Sequence, residues 1–423
     1  MTRRVALAVL IGAACGWLAV GSARVGAQRS DDVASLARMP DVKAALDAAR
    51  TGEARTIDDQ VRFCETPAPP FKESARGELL RRAFVSLGLA NVRVDAAGNV
   101  LGERPGRQPR PHLVLAAHLD TVFPAETDVR VRREGAVLRG PGIGDNCRGL
   151  AVLVAVARAM NDGRVATTGP VTFVANVGEE GLGDLRGVKA LFAGTLRGRI
   201  DRFVTLDNAG LTISTIGVGS LRYRVTFKGP GGHSFAEFGR PNPAAALGRA
   251  AARISDLRVP ASPRSTFNIG RIGGGSSVNA IPSDAWMEID LRSSDAAALA
   301  ELDGRVQQAI DLAVQDENRR WGRAYAISVQ RERVGQRPAG RTDATAPIVR
   351  TAQAVARTLG FAAGPSESSS DANLPMSLGI PAIAIGAGGR SYESHTTQEW
   401  FDGTNAWQGT QNALLLTVAL SRD

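Results

Sequence analysis

The chain has 423 residues, 43% of them apolar and 5% aromatic, enough for two or three units built around aliphatic cores. Its net charge of +9 is carried almost wholly by Arg, with no basic run interleaved with aromatics and no Lys/Arg helix face, which argues against nucleic acid as a partner. Three Cys are too few for a disulfide framework.

Met1 to Gln28 has the layout of a secretory signal: Arg3-Arg4, an apolar stretch from Val5 to Val20, then Val25-Gly26-Ala27. Gly12 and Gly16 interrupt a stretch already short for a membrane span, so cleavage near Ala27 is expected. That predicts a periplasmic or secreted protein with no membrane association once the signal is removed. Cleavage would leave Cys64 and Cys147, expected as small buried thiols that an oxidising compartment could join.

Residues 28–214 read as the first part of the larger unit. A linker and one helix precede residue 60, with Val42, Ala45, Leu46 and Ala49 on one face, and a helix from Ser74 stops at Gly88. The apolar run starting at His112 predicts a buried strand ending in His118-Leu119-Asp120. A Gly-rich turn then delivers Asp145 and an Ala-rich helix over Leu150 to Met160. Pro170 to Val177 is a strand ending in Gly178-Glu179-Glu180-Gly181, and Arg202 to Leu206 is another ending at Asp207. Strands alternating with helices, with polar residues at strand ends, predict an open α/β sheet whose site lies along one edge.

Over 215–332 the pattern changes to β-α-β-β-α-β, beginning with the strict alternation of Leu221 to Lys228, and this is the ferredoxin-like split unit. From 333 to 423 the first pattern resumes with a helix to Leu359 and an apolar strand Ile380 to Ile385, so the small unit is inserted within the larger one.

His118 and Asp120, two apart on a strand, point the same way, as suits a metal ligand and the group that orients it. Two divalent cations sharing a carboxylate need about five ligands from His, Asp and Glu. His118, Asp145, Glu180, Asp207 and His395 supply that number, and Glu179 is left beside a ligand as a general base. His112 falls outside this set and is expected to be structural. In the loop Gly386-Ala387-Gly388-Gly389, the amide of Gly388 could be offered to a substrate.

Over roughly residues 55 to 420 the chain resembles the M20 metallopeptidases, through His118-Leu119-Asp120-Thr121-Val122, Gly144-Asp145-Asn146, Glu179-Glu180 and Gly231-Gly232-His233-Ser234. The resemblance implies a zinc-exopeptidase-like fold, a mixed open sheet with helices on both faces, with the inserted unit as a lid that often dimerises. It implies two zinc ions, for which cobalt or manganese could substitute. His118 and Asp207 would hold one, Glu180 and His395 the other, with Asp145 as bridge, Asp120 orienting His118 and Glu179 as base to metal-activated water. It further implies that His233 stabilises the oxyanion in a partner's site, that Asn279 contacts substrate and that Arg292 holds a substrate carboxylate. The expected activity is exopeptidase cleavage of short peptides. The alternatives are an N-acyl amino acid amidohydrolase of the same fold and a non-catalytic periplasmic protein that binds peptide or metal. Cys147, Arg148 and the segment Ser368-Ser369-Ser370-Asp371 depart from relatives and bear on the substrate rather than on the metal chemistry.

Overall fold

The computed structural model describes residues 32–322 and 324–422, and the expected signal at 1–27 lies outside them. Helix Pro40–Thr51 buries Val42, Ala45, Leu46 and Ala49, the face that periodicity marks. The single helix expected before residue 60 is broken at Gly52, and a second helix, Glu53–Cys64, follows. Helix Ser74–Ser86 ends just ahead of Gly88, whose φ of 68° lies in the left-handed region.

Strands β1 (Ala90–Val94), β2 (Val100–Arg104) and β3 (Leu113–His118) come next, followed by the short pair β4 (Arg132–Glu134) and β5 (Val137–Arg139). Helix Cys147–Asp162 follows, with the Asn146 side chain accepting the Gly149 N–H at its start. Then come β6 (Val171–Asn176), β7 (Arg202–Leu206) and β8 (Ile213–Gly217).

The inserted segment contributes β9 (Gly219–Lys228), β10 (Gly232–His233), β11 (Ser265–Gly274), β12 (Ala280–Ile281), β13 (Asp284–Ser293) and β14 (Ser328–Arg337). Its antiparallel sheet runs β11-β13-β9-β14, and β10 pairs with β12 separately. Helices Pro243–Ser255 and Ala296–Trp321 pack on it around a core that includes Val225, Phe227, Met287, Ile289 and Ile310. The alternation in β13 is strict: Ala285, Met287, Ile289 and Leu291 are buried, while Trp286, Glu288, Asp290 and Arg292 share the other face. Two strand limits differ from expectation. Strand β8 spans the expected boundary at 215 but pairs in the large sheet, and β14 runs past the expected boundary at 332 to Arg337.

The chain closes with β15 (Gly340–Arg341), β16 (Pro365–Ser368), β17 (Ala382–Ile385), β18 (Arg390–Tyr392) and β19 (Trp400–Asp402). The large sheet has order β1-β2-β6-β3-β7-β17-β8-β15, with β16 also on β8. Its centre, β6-β3-β7-β17, is parallel, and β1, β2, β8 and β15 make antiparallel flanks. Both faces of β3 are covered. Leu113, Leu115 and Ala117 join a core with helices Cys147–Asp162, Pro347–Thr358 and Trp407–Leu420, whereas Val114 and Ala116 meet Val188, Leu191 and Met376 on the other side. Helix Trp407–Leu420 is buried on nearly every side, Thr410, Asn412 and Thr417 included, and lacks the amphipathic stripe by which a surface helix is recognised. Among the described residues no helix is long and apolar enough to cross a membrane.

Candidate metal centre

Because β3, β6 and β7 run parallel, their carboxyl ends bring His118, Glu179-Glu180 and Asp207 to one edge of the sheet. Asp145 and His395 arrive on loops. Three groups of ligand atoms, each within 4.8 Å of one another, result among the described residues, and two of them share Asp145: His118, Asp145 and Asp207 in one, Asp145, Glu180 and His395 in the other. Asp145 divides its oxygens between them. Its Oδ1 is 3.1 Å from Nε2 of His118 and its Oδ2 is 3.1 Å from Nε2 of His395. Glu180 Oε1 lies 3.1 Å from the same His395 nitrogen, and Asp207 Oδ1 lies 3.7 Å from the His118 nitrogen.

The charges show what such a cluster demands. Burial opposes a charged His118, yet the close carboxylates of Asp120, Asp145 and Asp207 outweigh it and hold the imidazole well above its ordinary pKa. The hydrogen bonds of His395 to Asp145 and Glu180 push it up to about 10. Burial pushes Asp145 up, but the two imidazoles more than compensate and keep it below the usual carboxylate range. Carboxylates packed this closely out of water require positive charge among them. With only imidazole nitrogens and carboxylate oxygens as donors, and one carboxylate shared, the residues fit a pair of divalent cations.

Asp120 holds this edge together, by a route other than the expected one. The Nδ1 of His118 is 3.0 Å from the Asp120 backbone carbonyl and 3.6 Å from Oδ1, so the main chain makes the closer contact and leaves Nε2 facing the cluster. The Asp120 carboxylate instead accepts the backbone N–H of Glu179 at 3.0 Å and of Glu180 at 2.7 Å. Glu179 is buried with an oxygen inside the 4.8 Å group it forms with His118 and Glu180. Its Oε1 accepts from Nη1 of Arg337 at 2.7 Å, and Nη2 of Arg337 donates to the Glu179 carbonyl. Burial raises the Glu179 pKa well above the ordinary carboxylate value, and the Arg337 guanidinium pulls it back only in part.

The remaining expected residues lie apart from this cluster. His233 is exposed in β10, and its Nδ1 accepts the N–H groups of Phe235 and Ala236, both at 3.2 Å. Asn279 sits beside it across the β10–β12 pair, its carbonyl accepting the Ser234 N–H at 3.0 Å. Arg292 donates from Nε to Asp290 at 2.7 Å and lines a cleft of about 260 Å³ with Arg264, Thr266, Glu367, Ser368 and Ser369. The expectation for Gly388 needs correction. Its N–H is spent on the Gly210 carbonyl at 2.8 Å, and a Cβ there would lie 2.3 Å from the Ala406 carbonyl oxygen, so this glycine serves close packing and not amide donation to a ligand. His112 bonds Thr172 at 2.7 Å at the far end of β3. Cys64 and Cys147 are free, buried thiols in one small core cluster.

Sequence reasoning missed Arg337, Glu399 and Asp371. Arg337 carries no local signal in an Arg-rich chain and reaches Glu179 only because β14 extends to the junction with the large sheet. Asp371, in the segment noted as unusual, is buried, accepts from Asn176 at 2.8 Å and is pushed up to about 7 by burial. Glu399 lies four residues beyond His395, a spacing that could have drawn notice.

A mixed α/β sheet with two imidazole–carboxylate clusters sharing Asp145 at its strand ends is an arrangement for a metal-dependent hydrolase. The chain belongs to peptidase family M20/M25/M40, whose model matches residues 114–418. It is 26% identical over 267 residues to succinyl-diaminopimelate desuccinylase of Corynebacterium glutamicum, covering 60% of this chain and 70% of that protein. It is 28% identical over 258 residues to carboxypeptidase G2 of Pseudomonas sp., covering 56% of this chain and 59% of that one. Its fold matches that of Bacillus subtilis YXEP, described as a dinuclear metal binding peptidase from the M20 family. The TM-score is 0.62 at 19% identity, over 87% of this chain and 99% of that one.

Proposed function

We propose that the protein is an exported di-zinc hydrolase that removes a terminal residue from short peptides, with N-acyl amino acid hydrolysis as the alternative on the same site. The observation that carries this is the spare carboxylate: five side chains complete the two ligand sets that share Asp145, and Glu179, grouped with His118 and Glu180 but not with Asp145, is left over beside them. His118 and Asp207 would hold one ion, Glu180 and His395 the other, and Asp145 would bridge them. Bound there, the pair would supply Lewis acidity to water and to the scissile carbonyl.

Each protein group then has a defined task. Arg337 occupies Oε1 of Glu179, so Oε2 takes the proton from the attacking water and passes it to the leaving nitrogen. His233, whose Nδ1 is an acceptor, carries its proton on Nε2, the tautomer that donates to an oxyanion. With His233 exposed on the inserted unit, a homodimer that brings it to a partner's site would complete the machinery. Arg292, with Arg264 across the same cleft, suits a substrate carboxylate. The similarity to a desuccinylase and to a carboxypeptidase supports an amide substrate with a free carboxylate without choosing between peptide and acyl amino acid. Export rests on the Met1–Gln28 pattern.

Glu179→Gln tests the proposal, measured for turnover and metal content on one preparation. The expected result is undiminished metal with turnover lower by about 10²–10⁴. Normal turnover with normal metal would remove Glu179 from the mechanism.

A further inference from the structure

Glu399 is buried, 1% exposed, and its carboxylate is turned onto the backbone of the Asp145 turn. Its Oε2 accepts the N–H of Gly142 at 2.8 Å, and its Oε1 accepts the N–H groups of Gly144 at 2.8 Å and Asp145 at 3.1 Å. The Ser391 hydroxyl adds a longer contact to Oε1 at 3.4 Å. The main chain ties the same two segments, since the Gly140 N–H donates to the Glu399 carbonyl at 3.0 Å. No side chain fits between them. A Cβ on Gly144 would lie 2.1 Å from Ser391 Oγ and 3.2 Å from Glu399 Oε1. The far side of this joint also bears a ligand candidate, because His395 sits in the loop between β18 and β19, at a φ of 67°.

We propose that Glu399 is a positioning residue that locks the Asp145 turn to the His395 loop and thereby sets the spacing of the two cation positions. The inference rests on Asp145 being the bridging ligand. Three N–H groups converging on one side chain call for acceptor oxygens at both ends of it, which a carboxyl group offers and an amide does not. Glutamine would turn an NH₂ toward one of these donors. The freed turn would carry Asp145 with it, changing its distance to both imidazoles together, since each of its oxygens faces one of them. Glu399 belongs to none of the candidate ligand groups, so its influence would reach the reaction through geometry.

The test uses full-length protein and cobalt(II) alone as the probe. Wild type, Glu399→Gln, Glu399→Asp and Ser391→Ala are compared for thermal midpoint, cobalt stoichiometry, affinity by chelator competition and the visible spectrum of the cobalt-loaded site. Glu399→Gln is expected to bind cobalt about 10–100-fold more weakly with shifted visible bands. Glu399→Asp, which keeps the two acceptor oxygens, should recover part of both, and Ser391→Ala should match wild type. If Glu399→Gln fails to fold, Glu399→Asp carries the comparison, with weaker cobalt binding and shifted bands still expected. A wild-type spectrum and affinity in the Glu399 variants, with only a lower thermal midpoint, would overturn the inference and leave the metal reading standing. A wild-type protein that takes up fewer than two cobalt ions would overturn the metal reading, and this inference with it.

Discussion

Arg337 and Glu179 form a buried ion pair, Nη1 to Oε1 at 2.7 Å, with both side chains about 5% exposed or less. It joins the last strand of the inserted sheet to the turn that holds the proposed base, so the two units meet at the point of chemistry. Removing the guanidinium takes away the buried counter-charge of Glu179 and forces its carboxyl to stay charged alone or take up a proton, at a cost of up to about 3–5 kcal/mol. Arg337→Met should therefore lower stability by that order in denaturant titration and should reduce turnover. Unchanged stability would show that the pair is not maintained in solution.

Asp120 binds two successive amides, those of Glu179 and Glu180, with one oxygen each. Asparagine at this position keeps one acceptor and sets an NH₂ against the second amide. Asp120→Asn is expected to weaken metal binding by about 10–100-fold in a chelator competition. A variant with wild-type affinity would show that the turn holds itself.

His233 is exposed and satisfied on one nitrogen within its own turn. If it serves a partner's site, mixing inactive Glu179→Ala and His233→Ala chains should regain activity, because some hybrid dimers hold one intact site. An inactive mixture, with subunit exchange verified by light scattering of tagged chains, would place His233 outside the reaction.

Arg292→Ala should raise KM by about 10-fold or more for substrates with a free carboxylate and leave the amidated analogues almost untouched. Equal effects on the two series, read from initial rates, would separate the cleft at Arg292 from carboxylate recognition.

Gly388 adopts a φ of 83° against the Ala406 carbonyl. Gly388→Ala combines backbone strain with a clash, and about 1–3 kcal/mol of destabilisation is expected for the strain alone. Thermal unfolding measures it, and a wild-type midpoint would show that the loop relaxes freely.

The local pattern of the chain determines a good deal. A run such as residues 113–117, apolar throughout, reads as a strand buried on both faces, and the alternation in Leu221–Lys228 puts one face on a core. Side chains ending such strands are placed by strand direction alone, which is why His118, Glu180 and Asp207 could be named before any fold was known. Packing across the chain decided the rest. Asp120 grips two amides 59 and 60 residues away, Arg337 reaches Glu179 over 158 residues, and Glu399 clamps a turn more than 250 residues before it. Periodicity and spacing record what neighbours along the chain do. They carry no trace of which distant backbone amide a buried carboxylate will accept, because only the closed fold brings that amide within reach.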